Sequence, residues 1–200
     1  MAAMPKPRLT FNAAFEPLES GLPEDYASAI GVTVARHAYL DWALGQVMYD
    51  LLEISIKQGR VIMKLPRPRV FIAAVRDLFE FHGLPTKYDF EGLAAKLEAA
   101  DCAVRELTRS TYMRDTGSKK LAIHLVRSPW DPGPGGDIQP EAQRLDAKFL
   151  AAKRKEVDDA VAAAEKLRAI TDRLLRESHL RRTKPAFDRR RRRSTTSSGT

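Results

Sequence analysis

The sequence predicts a mainly α protein: an antiparallel four-helix bundle-like domain with a small β-hairpin element and a disordered basic C-terminal tail. Three observations carry this. Apolar residues recur at helical spacing in long stretches bounded by Pro and Gly. One short stretch, "KKLAIHLVR" (119–127), alternates instead, as a half-buried strand does. From residue 180 onward apolar residues nearly vanish, which denies that segment a core of its own.

Residues 1–22 hold Pro5, Pro7 and Pro17 among scattered apolar side chains and read as an extended lead-in. A single helical domain over 23–179 follows, then an Arg-rich tail over 180–200. The first helix starts at Pro23-Glu24-Asp25, where acids suit the positive N-terminal end, and runs to about Glu53. With Asp41 as origin and about 100° per residue, Ile30, Val34, His37, Ala38, Leu44, Gly45, Met48 and Leu52 lie within about 60° of it. Arg36, Gln46, Asp50 and Glu53 fall opposite, so the helix is amphipathic.

"PRPR" (66–69) breaks the chain. A second helix spans Pro68 to His82 and is closed by Gly83 and Pro85. Its apolar residues Val70, Ile72, Ala73, Val75, Leu78, Phe79 and Phe81 cover more than one face, which predicts a largely buried helix. The third helix runs from Asp89 to Met113 with the stripe Phe90, Leu93, Leu97, Ala100, Val104, Thr108 and Thr111. The strand over 119–127 presents Leu121, Ile123 and Leu125 on one face. A lone strand is unstable, so a partner is expected within 138–147, beyond the loop "SPWDPGPGGD". The last helix spans Asp146 to Ser178, where "DDAVAAAEKL" favours helix strongly.

The formal charge is +8. Residues 180–200 hold eight cations (Arg181, Arg182, Lys184, Arg189, Arg190, Arg191, Arg192 and Arg193) against the single acid Asp188, so the remainder is nearly neutral. Such a run attracts phosphate backbones without reading sequence. RNA or DNA is therefore the expected partner of the tail, beside the alternative of a merely solubilising end. Cys102 is the only cysteine, which excludes an intramolecular disulfide. "MAAMPKPRLTFN" lacks the apolar run of a signal peptide, and no stretch is apolar enough to span a membrane. A cytoplasmic protein is expected.

His37, His82, His124 and His179 do not pair at metal-ligand spacing, so neither a metal nor a cofactor is expected. Gly133-Pro134-Gly135-Gly136 lacks the Lys-Ser/Thr of a phosphate loop and reads as a turn. Trp42 and Trp130 suit core or interface anchors. Asp41 stands at the centre of the apolar stripe drawn above, where an unpaired carboxylate costs several kcal/mol to desolvate. Arg105 or Arg109 of the third helix would supply its cation and hold its pKa down. Such a pair either fixes helix register or orients an Arg for RNA contact or catalysis.

"ARHAYLDWALGQVMYDLLEI", "KQGRVIM", "PRPRVFIAAVRDLFEFHGL" and a third helix ending in "RSTYMR" together resemble HEPN-type helical domains over about residues 24–130. Asp41, after Tyr39-Leu40, matches an acid on that family's first long helix. Ribonucleases of the family carry an Arg, a polar residue and, a few positions on, a His. Arg109-Ser110 matches the beginning, but Arg114, Asp115 and Thr116 stand where the His would be. Arg keeps its proton and cannot replace a His that shuttles one. The resemblance thus implies a non-catalytic domain that binds nucleic acid or a protein partner. Two alternatives accompany it. One is a metal-independent ribonuclease with a rearranged site of Asp41, Arg109 and His124. The other is a structural module, dimeric through the first and third helices, with Tyr39 and Val47 off the main apolar face.

Overall fold

The computed structural model describes residues 15–18, 21–62, 67–85, 87–115, 122–126 and 142–195; side chains of the last helix are described as far as Ser178. It is mainly helical with a small antiparallel sheet. The order is β1 (Phe15–Pro17), α1 (Glu24–Leu51), α2 (Ile56–Ile62), α3 (Pro68–Phe81), α4 (Phe90–Arg109), β2 (Thr111–Asp115), β3 (Ile123–Val126), β4 (Ala142–Leu145) and α5 (Ala147–Thr195). Two compact units divide the chain. The first comprises Met1–Ala35 and Asp101–Glu156; the second comprises Arg36–Ala100 and Val157–Thr200. Helices α1, α4 and α5 therefore each contribute residues to both.

The first unit holds the sheet, in the order β1-β2-β3-β4 with every pair antiparallel. The strand expected over 119–127 is β3, and the partner expected within 138–147 is β4, in register Ile123↔Leu145 to Val126↔Ala142. Leu107, Ile123, Leu125, Leu145 and Leu150 form this unit's core, with Leu18, Leu22, Tyr26 and Phe149 packed against it. Leu121 and the loop over 128–137, with Trp130, lie outside the described residues. Asp146 starts α5 by accepting the Phe149 N–H at 2.8 Å, an N-cap that satisfies one of the helix's orphan donors.

The third helix ends at Arg109 rather than Met113. Thr111, Tyr112 and Met113 belong to β2, the strand joining β1 to β3. β-branched and aromatic residues suit a pleated surface, and two neighbouring strands stood ready to pair. The burial on α4 shifts accordingly: Ala103 and Leu107 are fully buried, while Thr108 is exposed and bonds back to Val104 O.

In the second unit α1, α3, α4 and α5 bury one another's apolar residues. Leu40, Val47, Leu51, Phe71, Val75, Phe79, Leu93 and Leu167 are almost wholly buried, and so are the small side chains of Ala43, Ala160 and Ala164. α3 begins with Pro68 at its first turn, where the missing N–H costs nothing. It closes on Gly83 at φ +63°, with Leu84 N–H bonded to Phe79 O and Gly83 N–H to Glu80 O. That is the paired bonding of a Schellman motif. α3 is less buried than expected, because Val70 and Phe81 are exposed on its outer side. α2 has a local cause of its own. Gln58 N–H donates to Ser55 Oγ while Gln58 Oε1 accepts from Ser55 N–H, a reciprocal capping box.

The stripe drawn through Asp41 is rotated from the buried face of α1. Thr33, Leu40, Leu44, Val47 and Leu51 mark that face, roughly 90° from Asp41 at about 100° per residue. Val47 is therefore core, not off the face, and Gln46 is buried. α5 also departs from expectation, continuing through Thr195 where a disordered segment was anticipated from residue 180. Sparse apolar content denies a segment a buried face, but Arg and Lys remain good helix formers.

Candidate phosphate-binding surfaces

The residues proposed for a rearranged ribonuclease site do not assemble within either unit. Asp41 belongs to the second unit, and its side chain is 54% exposed, with Oδ2 3.7 Å from His37 Nδ1. The carboxylate is solvated, so it needs no buried guanidinium. Arg109 and His124 belong to the first unit. Arg109 is exposed at the last turn of α4. His124 sits in β3 opposite Met113 on one side and Arg144 on the other. Arg114 lies within β2, opposite Glu16 and Ile123, instead of one helical turn beyond Arg109. The Arg-to-His spacing of a helical motif therefore has no counterpart here, because a strand advances about 3.3 Å per residue and a helix about 1.5 Å.

The eight cations from Arg181 to Arg193 stand on the α5 backbone. Over those residues the helix rises about 18 Å. This concentrates positive charge on one continuous element.

A second basic feature escaped the sequence. In the second unit a cleft of about 680 Å³ opens where the start of α4 faces α5. Lys87, Lys96, Lys166 and Arg173 line it, together with the acids Asp89 and Asp159. Asp89 is engaged as the cap of α4, accepting the Gly92 N–H at 2.8 Å. Leu93, Ala163 and Ile170 give the cleft apolar walls. Tyr88 donates its hydroxyl to Ala163 O at 3.0 Å, which fixes the phenol ring at the rim, and burial pushes that phenol up from its ordinary pKa. Lys166 and Arg173, seven residues apart on α5, share one helix face. That spacing was the available signal. The contribution of Lys87 and Lys96 required the tertiary structure.

Three other cations of this unit are matched to carboxylates. Arg36 meets Asp158 at 2.9 Å, Arg69 meets Glu98 at 2.6 Å and Arg76 meets Glu91 at 2.7 Å. A distinct cluster surrounds Trp42, whose ring lies 5.4 Å from Tyr39 and 5.0 Å from the Arg168 guanidinium. Tyr39 donates to Glu165 at 3.0 Å, and that bond raises its pKa. Among the described residues no group of His, Cys, Asp and Glu could hold a metal ion. Among the described residues no helix is long and apolar enough to cross a membrane either.

Fold and surface define a mainly helical protein with a small antiparallel sheet and concentrated basic charge. No protein-family model, curated protein or solved structure matches the chain.

Proposed function

We propose that the chain is a non-catalytic, HEPN-like helical domain that binds nucleic acid through the phosphate backbone. A bundle-like arrangement of α1, α3, α4 and α5 is its scaffold, and the basic end of α5 supplies the affinity. The supporting observation is the continuity of α5 through Thr195, which carries eight cations against one acid on a single helix. Binding of this kind releases counterions. If all eight cations neutralise phosphates, log affinity for duplex falls with a slope of about −7 against log salt, about four decades between 50 and 200 mM. Removing residues 181–200 should abolish that affinity and leave the thermal midpoint in place. Affinity indifferent to salt, or retained after the deletion, overturns the proposal.

The cluster of Tyr39, Trp42, Arg36 and Arg168 favours a second reading, a protein-binding or dimerisation module. Trp, Tyr and Arg dominate binding hot spots, and Trp42 is 42% exposed. Static light scattering tests the homodimer form. A monomer at every concentration removes it, and a dimer that Trp42→Ala dissociates supports it.

A further inference from the structure

We infer that the cleft between the start of α4 and α5 is a binding site for an organic phosphate monoester with an apolar body. The argument begins with charge. Lys87, Lys96, Lys166 and Arg173 outnumber Asp89 and Asp159 around one concavity. Among the described residues no carboxylate forms an ion pair with any of these four, whereas Arg36, Arg69, Arg76 and Arg176 each have one. Four like charges around one cleft repel each other, and a bound anion relieves that repulsion. Asp89 does not compete strongly for them, since its carboxylate caps α4.

Size and lining narrow the ligand. A volume of about 680 Å³ lies in the range of small-molecule sites and is far too small for a duplex. The walls formed by Leu93, Ala163 and Ile170, with the held ring of Tyr88, favour an apolar or aromatic body over a bare inorganic ion. A phosphate monoester is largely dianionic at pH 7, with three oxygens that accept from separate cations. A carboxylate would engage fewer of them. The same chemistry has two sources, a free phosphate ester or the 5′-phosphorylated end of a strand. The inference does not depend on the basic end of α5.

The test is calorimetric titration of the full chain with phenyl phosphate and with inorganic phosphate. It is repeated on the Lys166→Gln/Arg173→Gln variant, both positions being exposed. Phenyl phosphate should bind about tenfold more tightly than inorganic phosphate, and the double variant should lose about tenfold or more. The variant keeps the basic end of α5, so ligand held there is unaffected and the two readings fail separately. Displacement of phenyl phosphate by a 5′-phosphorylated dinucleotide, but not by its 5′-hydroxyl counterpart, supports the site and assigns strand ends as the source. Saturable binding without that displacement supports the site and assigns free esters. No saturation at millimolar phenyl phosphate, or equal affinity in the double variant, overturns the inference.

Discussion

Asp41 shows how one carboxylate reports the phase of a helix. On a buried stripe, paired with an Arg, its removal would cost about 3–5 kcal/mol. With its side chain 54% exposed beside His37, the expected cost of Asp41→Ala at pH 7 is below about 0.5 kcal/mol. Urea denaturation measures it directly, and a loss of several kcal/mol would place the carboxylate back in a dry site. The opposite case lies in the first unit. Lys153 and Glu106 meet at 2.9 Å with side chains only 18% and 13% exposed. Burial opposes the charge on Lys153, but the hydrogen bond and charge of Glu106, with Glu156 behind, outweigh it and raise its pKa. A raised lysine contributes stability that is complete below the ordinary value of about 10.4 and is lost as pH rises through the raised one. Glu106→Ala should therefore cost about 2 kcal/mol at pH 7. The gap between variant and native protein should close in strong alkali. A gap constant from pH 7 to 11 would mean that the ion pair contributes nothing.

At the scale of elements, α2 is decided by one close approach. Ala normally favours a helix over Gly by about 1 kcal/mol. At Gly59, however, the Tyr49 ring occupies the space where a Cβ would stand. Gly59→Ala should destabilise by about 1–2 kcal/mol through overpacking. In a Tyr49→Ala background the same change should stabilise instead. A thermal-melt cycle that finds the same sign in both backgrounds would refute the packing. The helices themselves were legible because their ends carry chemical punctuation: Pro68, Gly83 and Asp146 fall at or beside the observed boundaries. The phase of α1 was not. Ala43 to Met48 are all buried, more than a full turn, so no single stripe marks the inner side. α2 is not legible as a helix although Ser55 and Gln58 stand at capping-box spacing, because it is short and holds Gly59, a poor helix former, at its centre. β2 reads as helix in the sequence because Thr108 and Thr111 fit a three-residue step, and only the neighbouring strands decide otherwise. Of the candidate sites, the charge run on α5 needs no fold to be noticed. The cleft draws its cations from residues 87–96 and 166–173, which only folding brings together.

At the scale of the molecule, stability rests on helices supplied from distant parts of the chain. In the second unit Val157, Ala160, Val161, Ala164 and Leu167 of α5 are buried, so residues 36–100 alone lack the surface that covers their core. Such a fragment should show no cooperative thermal transition, and adding a peptide of residues 157–178 should partly restore one. A sharp unfolding transition of the fragment by itself would show that α5 is dispensable there.

The interleaving of the two units bears on how such a protein can be inherited. Residues 36–100 of the second unit fall between the two stretches of the first, and both junctions lie inside helices. Recombination that copies one uninterrupted stretch of the gene cannot carry either unit without part of the other, since each unit is made of two separate stretches and every cut between them splits α1, α4 or α5. Shuffling into new gene contexts must take both together, and small insertions are best tolerated in the connections between helices, where no shared helix is broken.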